Sequence, residues 1–246
     1  MGETNLATFS AAQETSLVAL RGYLLTGSTG FKAEWLQAGM TADAMQTAID
    51  QDSRAWSDGQ RLLRLSEMRK ATAALRNEEK MLVSIIATPN QYPGLRLYRE
   101  DVDPALAQAL GLLDDAVQAA LTAGATANDI DALARVRGDV RELKRRLAVY
   151  LPSADTTPSE KLQAAMTDVR RAPTALAALR ARAAPTEREQ IVKLMALLRT
   201  SDIKLQQIFA LKHSPRWDYA DYSFKQKVLP LTEKILKLAD ELKASG

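Results

Sequence analysis

Residues 59–87 read GQRLLRLSEMRKATAALRNEEKMLVSIIA. Leu65, Met68, Ala71, Leu75, Leu82 and Ile86 recur at spacings of three, four and seven, which places them on one face of an α-helix and leaves the charged residues on the other. Between Ala42 and Ala87 there is no proline and one glycine, Gly59. The stretch therefore reads either as one helix of about 69 Å at 1.5 Å per residue, or as two helices that meet near Ser57-Asp58-Gly59. Helices this long suit elongated bundles better than compact globules.

The same spacing recurs on both sides. A first helix is expected from Asn5 to Leu25, with Leu17, Leu20 and Leu24 as its stripe, ending at Thr26-Gly27-Ser28-Thr29-Gly30. A short amphipathic piece with Phe31, Trp35 and Leu36 follows; Gly39 then breaks the chain and Thr41 caps the next helix. After the loop Thr88-Pro89-Asn90-Gln91-Tyr92-Pro93-Gly94, a helix resumes near Asp103-Pro104 with Leu106, Leu110, Leu113, Val117 and Leu121 inward. Further helices are expected from Asn128 to Leu151, from Ser159 to Ala183 with a kink at Pro173, and from Glu187 to Lys212. The last runs from Tyr219 to Lys243, with a kink at Pro230.

Composition agrees. The apolar fraction of 46% is mostly Ala and Leu, and the 11 Gly and 9 Pro are gathered at a few breaks. Ala and Leu lose little side-chain entropy in a helix, whereas strands favour β-branched residues. The fold class is all-α: an elongated antiparallel helical bundle, with residues 1–246 as a single domain built of two stacked four-helix modules that share long helices. A repeat is suggested by Glu14, thirteen residues before the break at Gly27, and Glu78, twelve before Asn90.

The 33 basic and 30 acidic residues are mixed along the chain, so no nucleic-acid footprint is implied. The run Arg141-Glu142-Leu143-Lys144-Arg145-Arg146 reads as a solvated helix face. There is no cysteine, which excludes disulfides, thiolate metal sites and a cysteine nucleophile. No segment approaches the roughly 20 apolar residues that span a bilayer, and Met1-Gly2-Glu3-Thr4-Asn5 lacks the pattern of a signal peptide. Membrane attachment, if any, would come from flanking segments.

Catalytic signatures are missing. His213 is the single histidine and stands in the loop His213-Ser214-Pro215-Arg216-Trp217, without a second His or a Cys to complete a metal site. No nucleophile elbow, zincin pair or phosphate-binding glycine loop occurs. The chain reads as a non-enzyme with no metal and no cofactor. Charged residues inside apolar stripes are the candidates for a ligand site, because burying a charge requires a partner. Arg21, between Leu17 and Leu24; Arg61, before Leu65; Glu79, between Leu75 and Leu82; and Asp202, between Leu198 and Leu205, meet that criterion. The two arginines would present forked donors to a small anionic ligand. The alternative for each is an internal ion pair or a side chain snorkelling to solvent.

The stretch Glu14-Thr15-Ser16-Leu17-Val18-Ala19-Leu20-Arg21-Gly22-Tyr23-Leu24-Leu25-Thr26-Gly27 resembles the E-x(6)-R-G-Y-L-L-T-G signature of CHASE3-type sensor domains. The long helix Gln60-Arg61-Leu62-Leu63-Arg64-Leu65 fits the same pattern, and the likeness covers roughly the first hundred residues. In size the chain is closer to the helical bimodular ligand-binding region of chemoreceptors, which Arg76-Asn77-Glu78-Glu79 also resembles. The resemblance implies an extracytoplasmic sensing domain of a chemoreceptor or sensor histidine kinase, periplasmic, on an inner-membrane protein, and homodimeric. Its partner would be a small-molecule ligand or a periplasmic binding protein. A cytoplasmic helical scaffold or adaptor fits the composition equally well.

Overall fold

The computed structural model describes residues 2–245, and the described residues contain helices and no strand. The helices are α1 (Gly2–Thr26), α2 (Thr29–Asp52), α3 (Gly59–Ile85), α4 (Pro93–Leu97), α5 (Asp103–Thr122), α6 (Ala127–Tyr150), α7 (Glu160–Arg182), α8 (Pro185–Lys212), α9 (Tyr219–Ser223) and α10 (Leu229–Ala244). The all-α bundle expected from the apolar periodicity is the fold observed.

The chain divides into two compact units, one made of residues 1–91 and 218–246, the other of Tyr92–Trp217. The first packs α1, α2, α3 and α10 around Leu6, Phe9, Leu20, Ile49, Leu65, Leu75, Leu82, Ile235 and Leu242. The second packs α5, α6, α7 and α8 around Leu106, Leu113, Val140, Leu147, Leu162, Leu176, Leu194 and Ile208. Every helix lies within one unit. The chain crosses at 91–92 and at 217–218, both outside the α-helices.

The stretch from Ala42 to Ala87 is two helices. Ser53–Ala55 tightens into a 3₁₀ turn, Trp56 is extended, and the Asp58 carboxylate accepts from the Gln60 backbone N–H to cap α3. Gly39, in contrast, does not break the chain: α2 runs through it. The Arg76 guanidinium donates to the Gly39 carbonyl at 3.2 Å, and a Cβ there would lie 3.5 Å from Arg76 Nη1, an ordinary van der Waals contact. Pro173 sits inside α7, which continues through it.

Two other prolines share one device. Pro104 follows a π-helical turn, Tyr98–Val102, and Pro230 follows another, Phe224–Val228. The wider turn makes room for a ring that would otherwise meet the carbonyl four residues back. In the second unit the helical path thus begins at Pro93, ahead of Asp103.

These turns belong to a repeat with a period of 126, as Pro215 follows Pro89 and Pro230 follows Pro104. The 3₁₀ turns Pro89–Gln91 and Pro215–Trp217, the short helices α4 and α9, the two π turns and the starts of α5 and α10 all keep this offset, as do the starts of α3 and α8. Thr88 and Ser214 cap in the same way, each hydroxyl donating to the carbonyl three residues back and accepting from the N–H two residues on. The Glu14/Glu78 similarity is not this repeat; those residues lie on α1 and α3 of the same unit.

Candidate functional site

The residues Gly22 to Gly27, which carry the sensor-like signature, build the hairpin between α1 and α2. Gly27 adopts φ +67°, a conformation glycine enters without strain, and ends α1. Thr26 Oγ1 donates to the Gly22 carbonyl and accepts from Ser28 N–H. The Phe31 ring rests on Gly22, where a Cβ would stand 2.7 Å from it. Lys32 Nζ lies 5.7 Å from the Tyr23 ring. The signature is a device for turning the chain. Arg21 within it faces solvent instead of the apolar interior that its place between Leu17 and Leu24 suggested.

The other three candidates have distinct surroundings. Arg61, half-buried at the start of α3, stacks its guanidinium 3.9 Å from the Trp56 ring centroid, and its buried Nε has no hydrogen-bond partner. Glu79 is 1% exposed; it accepts from Arg76 Nη1 at 2.8 Å and from Ser16 Oγ at 3.4 Å. Arg76 also reaches Asp43 and the Gly39 carbonyl, so it ties α3 to α2. Asp202 accepts from Arg170 Nε at 2.6 Å and from Gln206 at 3.0 Å. Glu79 and Asp202 therefore take part in ion pairs within their own units. Arg61 and Glu79 are about 27 Å apart along α3 at 1.5 Å per residue, so the four do not assemble into one site.

A cavity with the dimensions of a ligand lies elsewhere. At the end of the second unit formed by the α5–α6 and α7–α8 turns, the four helices leave a space of about 180 Å³. Its floor is Leu133, Leu179, Ile191 and Leu194; its walls carry Ala116, Ala119, Ala120, Ala123, Ala125 and Ala183. Alanines create it, because each leaves out the methylenes that a leucine would push into the junction. Asp129, Arg182, Glu187 and Gln190 are the polar residues of the lining. Arg182 Nη2 donates to Asp129 Oδ1 at 2.7 Å, and Glu187 accepts from Ala184 N–H to cap α8. Nothing in the sequence marked the cavity, because Ala116, Ala120 and Ala183 read there only as helix formers.

At the opposite end of that unit Lys212 is 3% exposed. Its Nζ donates to the Leu151 and Ser153 carbonyls and lies 4.3 Å from the Trp217 ring and 5.4 Å from that of Tyr150. Burial pushes its pKa below the usual lysine value, with Asp155 opposing. Trp217 covers Gly94 and tilts against Tyr92 with centroids 6.2 Å apart. This cluster caps the C-terminus of α6 with a cation and joins the two chain ends of the unit. A lysine in a last turn gives no sign in the sequence that it will be buried. His213 caps as well, with Nδ1 at 2.6 Å from the Phe209 carbonyl.

No protein-family model matches the chain, and no curated protein matches it in sequence. Among the described residues no helix is long and apolar enough to cross a membrane.

Proposed function

We propose that this chain is the extracytoplasmic sensing domain of a bacterial membrane receptor, of the chemoreceptor or sensor-kinase type. The observation that carries the reading is the pairing of the first and last helices in one unit. Leu6 and Phe9 of α1 share a core with Leu238 and Leu242 of α10, and Lys243 Nζ reaches Ser10 Oγ at 3.4 Å. The start of α1 and the end of α10 thus emerge at the same end of that unit, where Asn5 also meets Asp52 and Arg64 meets Glu241. Membrane helices continuing from them would stand side by side. A ligand that favours one packing of α1 on α10 shifts the population between two states, and the displacement is passed across the membrane.

A helical scaffold has its own support: Val18, Leu25, Leu36 and Met40 stand exposed on α1 and α2, Val18 at 67% and Leu25 at 72%. In the sensor these side chains would be available to the second copy of a homodimer. The test is a chimera in which residues 1–246 sit between the membrane helices of a chemoreceptor, with cysteines at positions 10 and 243 joined by a short cross-linker. The sensing reading expects cross-linking to shift kinase output in membranes, with no change for either single cysteine. Output indifferent to the cross-link would sink it.

A further inference from the structure

The repeat makes the cavity of the second unit informative, because the first unit contains the corresponding place. The starts of α3 and α8 are equivalent under the 126-residue offset, so Arg61 corresponds to Glu187 and Trp56 to Arg182. In the first unit that end is filled: Trp56 packs against the core and Arg61 lies flat on its ring. In the second unit neither an aromatic ring nor a stacked guanidinium fills the space, and about 180 Å³ remains. Leu133 and Leu194 form its apolar floor and Ala116 and Ala120 its walls, while Asp129 and Arg182 supply an ion pair. An apolar cavity of about 150 Å³ in another protein accepts benzene, so this one has room for an aromatic ring or a compact branched alkyl group.

The ion pair decides the polar end of the occupant. The Asp129 side chain is 19% exposed and that of Arg182 is 64% exposed. The carboxylate is thus fixed and partly desolvated at the N-terminal turn of α6, whereas its cationic partner hangs in solvent and can leave at little cost. A second carboxylate, Glu187, lines the same cavity. A ligand carboxylate placed there would meet two like charges, Asp129 and Glu187, against one cation, Arg182, which is already paired with Asp129; a ligand ammonium would replace Arg182 on Asp129 and keep the carboxylate paired. We infer that this cavity binds a small primary amine with an apolar body, an arylalkylamine or a branched alkylamine, its ammonium on Asp129 and its hydrocarbon among the alanines. The inference rests on the sensing reading for its biological sense and replaces the anionic ligand that Arg21 and Arg61 suggested.

The test is calorimetric titration of the purified full chain with 2-phenylethylamine, with 3-phenylpropionate and 2-phenylethanol as probes of equal shape and different charge. The amine is expected to bind most tightly, Asp129→Asn to weaken it tenfold or more while leaving the alcohol unchanged, and Ala120→Leu to abolish binding of all three. Ala116→Met serves as the second filling variant, and circular dichroism checks that each variant is folded. Tighter binding of the carboxylate, absence of amine binding, or amine binding that survives both filling variants would overturn the inference. Because binding is read on the isolated chain, its failure leaves the cross-linking result on the chimera untouched, and the reverse also holds.

Discussion

Arg76 and Glu79 form an ion pair whose two halves should respond to removal in opposite ways. Glu79 is 1% exposed and holds Arg76 at 2.8 Å. Arg76→Ala leaves that carboxylate with Ser16 Oγ alone, and stranding a buried charge costs about 3–5 kcal/mol. Glu79→Leu removes the buried charge, while the Arg76 side chain keeps Asp43 at 3.3 Å and the Gly39 carbonyl. Leucine is also what the repeat uses at this place, since Leu205 follows Glu79 by 126 residues and is buried. Replacing a buried charge by a well-packed apolar side chain is close to neutral or stabilising, so the two variants should differ by about 3 kcal/mol or more, roughly 10 °C in midpoint for a unit of this size. Urea unfolding on a Trp217→Phe background isolates the first unit, because Trp35 and Trp56 then supply the fluorescence. Equal losses in Arg76→Ala and Glu79→Leu would show that the pair acts as a unit and would refute the reasoning.

Gln13 is buried with neither side-chain atom hydrogen-bonded, so Gln13→Leu should raise stability by about 1–2 kcal/mol in the same assay. Gly94→Ala would drive a Cβ into the Trp217 ring, and overpacking of that kind costs about 1–3 kcal/mol, read from Trp217 fluorescence in the second unit. The Glu142 carboxyl, held by Arg145 and Arg146, is pushed down to about 2; carbon NMR should find it still ionised below the ordinary glutamate range. Because the shift is downward, the favourable interaction is present above the ordinary glutamate range and is lost as pH falls through about 2. Arg145→Ala with Arg146→Ala should return the titration to that ordinary range.

Most of the fold was legible because helical periodicity is a local property. Leu65, Met68, Leu75 and Leu82 could share a face only in a helix, and all four are buried. What the sequence withheld depends on neighbours. Gly39 read as a breaker because glycine is a poor helix former, yet α2 continues through it and its carbonyl accepts from the Arg76 guanidinium of α3. Pro104 read as suited to a first helical turn, and α5 does begin at Asp103; what went unread is the short helix and π turn that lead into it from Pro93. Of the four charged residues taken from the stripes, Glu79 alone is fully buried; Arg21 had the same spacing and points outward, since one residue in a stripe does not reveal where the stripe's edge lies. The cavity was hidden for the same reason: alanines signal helix in a sequence and empty space only once four helices converge.

The sensing account stands most directly on which side of a membrane the chain resides. These 246 residues contain no cysteine, so Ile203→Cys, at a position 58% exposed on α8, gives this chain one thiol, and any cysteine elsewhere in the full-length gene product is first replaced by serine. The measurement is its labelling by a membrane-impermeant maleimide in spheroplasts, before and after lysis. The account predicts full labelling with the inner membrane intact. Labelling that requires lysis would place the chain in the cytoplasm and contradict it.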